Sequence, residues 1–233
     1  MDDPDLTPDL HDDALVGLAR LNRVAGADRG FREPLRALFA AAGPGPVRIL
    51  DLATGSGDLP VALDRWLARA RPDLERRWIG VDISEHALDR ATARTRAAGM
   101  TFEAVRRNVM TDALPACDIA MCSLFLHHLT HDDAVTSIRR LQESARLGVI
   151  LGDLRRTRLG LAMATTAGRL LTRSPVVHAD APASVRAAFD DREFGRLLAD
   201  AGIPSPCTSR VFPQRRIAWW RTTNPGTPET STA

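Results

Sequence analysis

The chain has 233 residues, is 44% hydrophobic and carries a formal net charge of +2. That is enough for one domain with a sizeable core, and the near-neutral balance gives no push toward nucleic acid. The 31 basic residues are all arginine and tyrosine is absent, which excludes lysine-based chemistry and a tyrosine general base.

In chain order, residues 1–13 carry six aspartates and little to bury, and read as an acidic flexible tail. Ala14 to Ala42 is helical in pattern, with Leu15, Leu18 and Leu21 and then Leu35, Leu38 and Phe39 recurring. Gly43–Val47 (GPGPV) breaks the pattern and launches a first strand. A helix is expected over Pro60–Ala70, a strand over Arg76–Val81, and a helix over Glu85–Ala98 that Ser84 is placed to cap. Strand three is expected at Thr101–Arg106 and strand four at Asp118–Ser123. A helix over Asp132–Ala145 and strand five at Leu147–Gly152 complete the alternation. Strands alternating with helices imply an α/β, doubly wound, mostly parallel Rossmann-like sheet. Arg155–Arg173 then reads as a basic helical segment, Ser174–Ser184 as an irregular loop, and Ala187–Ala201 as a helix. Thr208–Phe212 and Arg216–Arg221 read as two strands, with Trp219 and Trp220 on opposite faces. Residues 222–233 are polar, rich in Pro and Gly, and read as a disordered tail.

The first strand runs into a glycine turn in RILDLATGSGDLP, Arg48 to Pro60. Gly55 and Gly57 let backbone approach a ligand, and the helix that follows turns its N–H groups toward it. Asp51 lies at the strand end, and a second acid, Asp82, closes the next strand-like run, RWIGVD. A dinucleotide fingerprint needs a third small residue where this chain has Pro60. A carboxylate at Asp51 is also a poor neighbour for a pyrophosphate and a good one for a cationic amino group. These features favour S-adenosylmethionine over NAD.

On these residues the chain resembles a class I S-adenosylmethionine-dependent methyltransferase. Asp51, Ala53, Gly55 and Gly57 match the first motif, with Ala53 in place of its first glycine, and Asp82 in GVDIS matches the second. The resemblance covers Val47 to Ile150 well and the flanks more loosely. It implies a seven-stranded sheet with an antiparallel last strand. It also implies a single domain over 14–221, with an N-terminal helical cap at 14–46 and a lid insertion at 155–190 that forms the acceptor pocket. Asp51, Gly55 and Gly57 would then face the methionine part of the cofactor, and Asp82 the ribose hydroxyls. Ile83 would pack on the adenine, with Asn108 accepting from its amino group, Val109 offering a backbone N–H, and Asp112 a rival to Asn108. Ser123, ending strand four, completes the candidate cofactor set.

His127 and His128 follow strand four, and Asp153 follows strand five, as in many small-molecule O-methyltransferases. An imidazole suits removal of a proton from a phenol or alcohol. His128 is the first candidate base and His127 the second, with Asp153 orienting the ring or holding a substrate hydroxyl. The resemblance is to bacterial enzymes that O-methylate phenolic or polyketide-like products, with S-adenosylhomocysteine as co-product. A C-methyltransferase acting on a quinone-type or aromatic ring, an NAD-dependent oxidoreductase and a non-catalytic cofactor-binding module are the alternatives. A metal at His131, Asp132 and Asp133 is not expected, because acids belong at a helix start. Partners are expected to be a small hydrophobic acceptor, without nucleic acid or a membrane span, for a monomer or homodimer. Three unpatterned cysteines, Cys117, Cys122 and Cys207, and an acidic first segment rather than a leader point to the cytoplasm.

Overall fold

The computed structural model describes residues 26, 28–171, 175–212 and 214–222. The expected tail 1–13, the helical pattern over 14–25, the tail from 223 and the side chains of Leu170 and Leu171 lie outside the described residues.

The apolar run of β1 (Val47–Leu52) and the apolar centres of β2 (Arg76–Asp82), β4 (Cys117–Ser123) and β5 (Ala145–Leu154) are buried on both faces, the pattern of parallel strands covered by helices. With β3 (Phe102–Arg106), β6 (Cys207–Val211) and β7 (Arg215–Arg221) they form one seven-stranded sheet, in the order β3-β2-β1-β4-β5-β7-β6. Strands β1 to β5 pair in parallel, and β7 runs antiparallel to both β5 and β6. The strand order reverses beside β1, so the crevice outside the carboxyl ends of β1 and β4 is where such a sheet takes a ligand.

Two cores follow from the two faces. On one, α1 (Arg29–Phe39) and α2 (Asp58–Ala70) bring Phe31, Leu35, Leu38, Leu63 and Leu67 onto Ile49, Ile119 and Ile150. On the other, α4 (His131–Ser144) and α7 (Asp191–Asp200) bring Ile138, Leu141, Phe194 and Leu197 onto Leu50, Ala120 and Val149. The helix α3 (Glu85–Ala97) starts at Ser84, whose hydroxyl accepts from the Ala87 N–H as expected. In β5, a Cβ on Gly152 would lie 2.5 Å from the Phe31 ring, so glycine there is what lets α1 lie on the strand. Trp219 and Trp220 fall on opposite faces, as the alternation requires, and the Trp220 indole N–H donates to Gln142 at 3.0 Å.

Several expectations are corrected. The segment read as an irregular loop from Ser174 is the helix α6 (Pro175–Ala187), and α5 (Arg158–Leu171) precedes it. It holds two prolines. Pro175 opens the helix, where a missing N–H costs nothing, and Pro182 is carried inside it, in a helix that buries Ala181 and Val185. The next helix starts at Asp191 rather than Ala187. Asp190 builds a capping box with Glu193 there, accepting from the Glu193 N–H at 2.9 Å while Glu193 accepts from the Asp190 N–H at 2.8 Å. Strand β5 is longer than expected at both ends, so Asp153 is a ladder residue opposite Arg216 rather than the start of a loop.

Candidate active site

At the end of β1 the chain turns through Ala53, Gly55 and Gly57, all three left-handed, with φ of 55°, 53° and 73°. This explains why small residues alternate in the motif. Glycine adopts that region freely, and Ala53 holds it at a cost of about 1–2 kcal/mol. Gly57 also has no room for a side chain, since a Cβ would lie 3.2 Å from Ala91 on α3. Gly55 differs, for a Cβ there meets nothing within 4 Å, so its backbone faces open space.

The two acids hold this turn in different ways. The Asp82 carboxylate accepts the Gly55 N–H at 2.9 Å on one oxygen and the Ser84 N–H at 3.0 Å on the other. It therefore ties the glycine turn to the end of β2 and to the start of α3. Asp51 is 2% exposed and accepts from the Thr54 hydroxyl at 2.9 Å. Burial pushes its carboxyl up to about 7; the Thr54 bond opposes this and the charge of Asp82 adds to it. Next to them Ile83 is 60% exposed, an apolar side chain held at a strand end.

Beyond β3, Val109 is buried and the turn closes on itself. The Asn108 side-chain oxygen accepts from the Met110 N–H at 2.9 Å, and Asp112 accepts from the Asn108 N–H at 2.8 Å. That bond, with the Thr111 hydroxyl, holds Asp112 below the usual carboxylate range. Asn108 thus acts as a turn residue whichever group the ligand meets. Ser123 ends β4 opposite Gly152. Leu124 follows with φ of 56°, its N–H donating to the Gly152 carbonyl at 2.8 Å.

The second half of the site lies on a single helical turn, Leu126–His128, between β4 and α4. Asp153, 2% exposed, holds His127 twice: its Oδ1 lies 2.6 Å from Nδ1, and its Oδ2 accepts the His127 backbone N–H at 3.0 Å. An ionised carboxylate only accepts, so a neutral ring in this contact carries its proton on Nδ1 and has its acceptor lone pair on Nε2. The sequence reading placed His128 first; the structure gives the carboxylate to His127. His128 is exposed, its ring tilted 37° against that of His127 at 4.2 Å between centroids. The Cys122 thiol behind them is pushed well up by burial and by the charges of Asp153 and Asp51. His131 pairs with Asp200 at 2.9 Å. Among the described residues no three His, Cys, Asp or Glu side chains could hold a metal together.

Two residues the sequence reading passed over lie against this half. Arg215 and Arg216 are 8% and 5% exposed. Burial lowers both below the usual arginine range, Arg215 to about 10; Asp153 opposes the shift of Arg215, and Asp191 and then Asp153 oppose that of Arg216. The available signal was the pattern RRIAWW, in which Arg216 shares a face with Ala218 and Trp220. Arg155 and Arg156 are ion-paired with Asp191 at 2.7 Å and Glu193 at 2.5 Å.

A left-handed glycine turn at the reversal of strand order, an acid closing β2 and a seven-stranded sheet with β7 reversed define the class I S-adenosylmethionine-dependent methyltransferases. Residues 49–148 match the family model described as a methyltransferase domain. No curated protein matches the chain in sequence. Solved structures share the fold. Magnesium protoporphyrin IX methyltransferase from Synechocystis PCC 6803, with bound S-adenosylhomocysteine, is 19% identical with a TM-score of 0.57, over 95% of this chain and 90% of that one. The plantazolicin methyltransferase BpumL, also with S-adenosylhomocysteine, is 14% identical with a TM-score of 0.66, over 96% and 92%. An O-methyltransferase family protein from Burkholderia thailandensis is 16% identical with a TM-score of 0.64, over 93% of this chain and 60% of that one. The chain has the class I methyltransferase fold, and its residues 49–148 match a methyltransferase domain. Its residues fit the cofactor: the open face of Gly55, the tethered carboxylate of Asp82 and the exposed Ile83 line one edge of the crevice. Among the described residues, no helix is long and apolar enough to cross a membrane.

Proposed function

We propose that this enzyme methylates a hydroxyl of a small hydrophobic acceptor of phenolic or polyketide-like type, with His127 as the general base and Asp153 as its orienting carboxylate. The observation that carries the reading is the 2.6 Å contact between His127 Nδ1 and Asp153 Oδ1, buried where the carboxyl ends of β4 and β5 meet. S-adenosylmethionine supplies an activated methyl group on a sulfonium when bound. Asp51 and the turn from Ala53 to Gly57 would hold its amino acid part, Asp82 its ribose, and Ile83, Asn108 and Val109 its base. His127 Nε2 would take the acceptor's hydroxyl proton, and Asp153 would stabilise the imidazolium so formed. General base catalysis contributes typically ~10²–10⁴-fold, and the fixed ring adds alignment. The helices α5 and α6, with α6 packed on the turn that carries His127, form the cover of the acceptor pocket in this reading. The presence of O-methyltransferases among proteins of the same fold supports it.

The test is methyl transfer to a panel of phenols and pyrones, with S-adenosylhomocysteine affinity measured in parallel. His127→Ala is expected to lower turnover ~10²-fold or more while leaving that affinity within twofold of wild type. Retained turnover in His127→Ala would remove the base assignment, and methylation at carbon alone would favour the ring C-methyltransferase.

A further inference from the structure

We infer that Arg216 is a positioning residue for the His127–Asp153 pair: a guanidinium fixed in the core that keeps Asp153 an anion and disfavours a second proton on the imidazole. The inference rests on reading that pair as the base.

Arg216 and Asp153 are directly opposed in the β5–β7 ladder, so their side chains leave the same face of the sheet as near neighbours. Arg216 is pinned there by neutral groups. Its Nη1 donates to the Asp190 carbonyl at 2.9 Å and its Nη2 to the Phe189 carbonyl, and its Cζ lies 4.6 Å from the centre of the Phe194 ring. The nearby carboxylate is Asp191, at 3.4 Å, which also pairs with Arg155 and Arg210 and is 47% exposed. Among the described residues the Arg216 Nε, though buried, has no hydrogen-bond partner. Packing alone does not ask for this arrangement. The same face of β7 continues with Ala218 and Trp220 in the core, and a buried charge with an unsatisfied donor is costly.

The pair itself supplies the reason. Asp153 also accepts the Leu154 N–H at 2.7 Å, and a positive charge nearby favours a buried carboxylate further. If that charge came from His127, the ring would already hold the proton it is meant to collect. A separate fixed cation removes the conflict, since it favours the carboxylate and repels an imidazolium. Other charged and titratable groups surround the pair. On the turn is His128, on β4 Cys122 and on β1 Asp51. The helix α6, packed on the turn, carries His178, Asp180 and Arg186, and α4 starts at His131. Among the described residues the buried arginines are the two on β7: Arg216 lies opposite Asp153, and Arg215 adds charge of the same sign from opposite Leu154.

The test needs no acceptor. The full chain, labelled with ¹⁵N-histidine and saturated with S-adenosylhomocysteine, is followed by NMR across pH for the fraction of His127 carrying two ring protons. Arg216→Gln is expected to raise that fraction at least threefold at a given pH, and Arg216→Lys to restore it to within twofold of wild type. Asp191→Asn leaves the Arg216 charge less compensated and is expected to lower the fraction. An unmoved His127 signal in folded Arg216→Gln overturns the inference. If that variant does not fold, an unmoved or raised fraction in Asp191→Asn overturns it. Failure of the base reading shows separately, as retained turnover in His127→Ala.

Discussion

The two halves of the site are built differently. The cofactor half is local. Residues 51–57 form one turn, and its outside tether, Asp82, reaches it by a backbone N–H. The acceptor half is assembled from distant places, with His127 after β4, Asp153 inside β5, Arg216 on β7 and α6 above. The first is a backbone conformation that a few residue types permit. The second is a set of side chains that only the sheet brings together. The halves should therefore fail in different ways, and three variants widen or close the gap between them.

The largest expected effect is in the acceptor half. In Asp153→Asn the amide must serve both the ring and the His127 backbone N–H. The amide oxygen can accept only some of these contacts, and its NH₂ favours the wrong tautomer of the ring. Turnover is expected to fall ~10²–10⁴-fold with S-adenosylhomocysteine affinity unchanged by calorimetry; a matching loss of affinity would mean the two halves are one unit.

A smaller effect lies in the cofactor half and depends on pH. The folded-state value of Asp51, about 7, stands above the unfolded one, so between about pH 4 and 7 the folded chain holds a proton that the unfolded chain has released. Stability from this group is therefore present below about pH 4 and lost as pH rises through 7. Asp51→Asn keeps an acceptor for the Thr54 hydroxyl without the charge. At pH 8 it is expected to stabilise the unliganded protein by about 2 kcal/mol relative to pH 5, read by urea denaturation at each pH. An equal effect at both pH values would show that Asp51 is ionised in the fold throughout.

The smallest effect is at Ala53, whose φ of 55° suits glycine. Ala53→Gly relieves the strain but loosens the unfolded chain, for a net gain of about 0.5 kcal/mol. A loss of stability would show that the methyl group packs better than its backbone fits.

The same contrast decides what could be read in the chain itself. The glycine turn and the closing acid at Asp82 were legible because each depends on spacing within a short segment, and the seven-stranded sheet with its reversed last strand followed from the resemblance those motifs carry. The His127–Asp153 partnership was not. Two adjacent histidines are equivalent in sequence, and the choice between them rests on which ring a carboxylate 26 residues away meets. Arg216 was missed because arginine at a strand end reads as exposed until the opposite strand is known. The helix α6 was missed because Pro175 and Pro182 carry opposite weights at a helix start and in a loop, and only packing on the turn at His127 resolves them.

The Asp82 carboxylate engages the Gly55 and Ser84 N–H groups at once. In the proposed reading, these two bonds hold the loop that would meet the cofactor in one shape. Docking need not freeze a wandering backbone, a step that commonly subtracts from affinity. The same carboxylate starts α3 and shapes the turn, so one acid cannot be tuned for the ribose without moving the loop. In that reading, variation is freer at Ile83, whose exposed side chain holds no turn, than at Asp82.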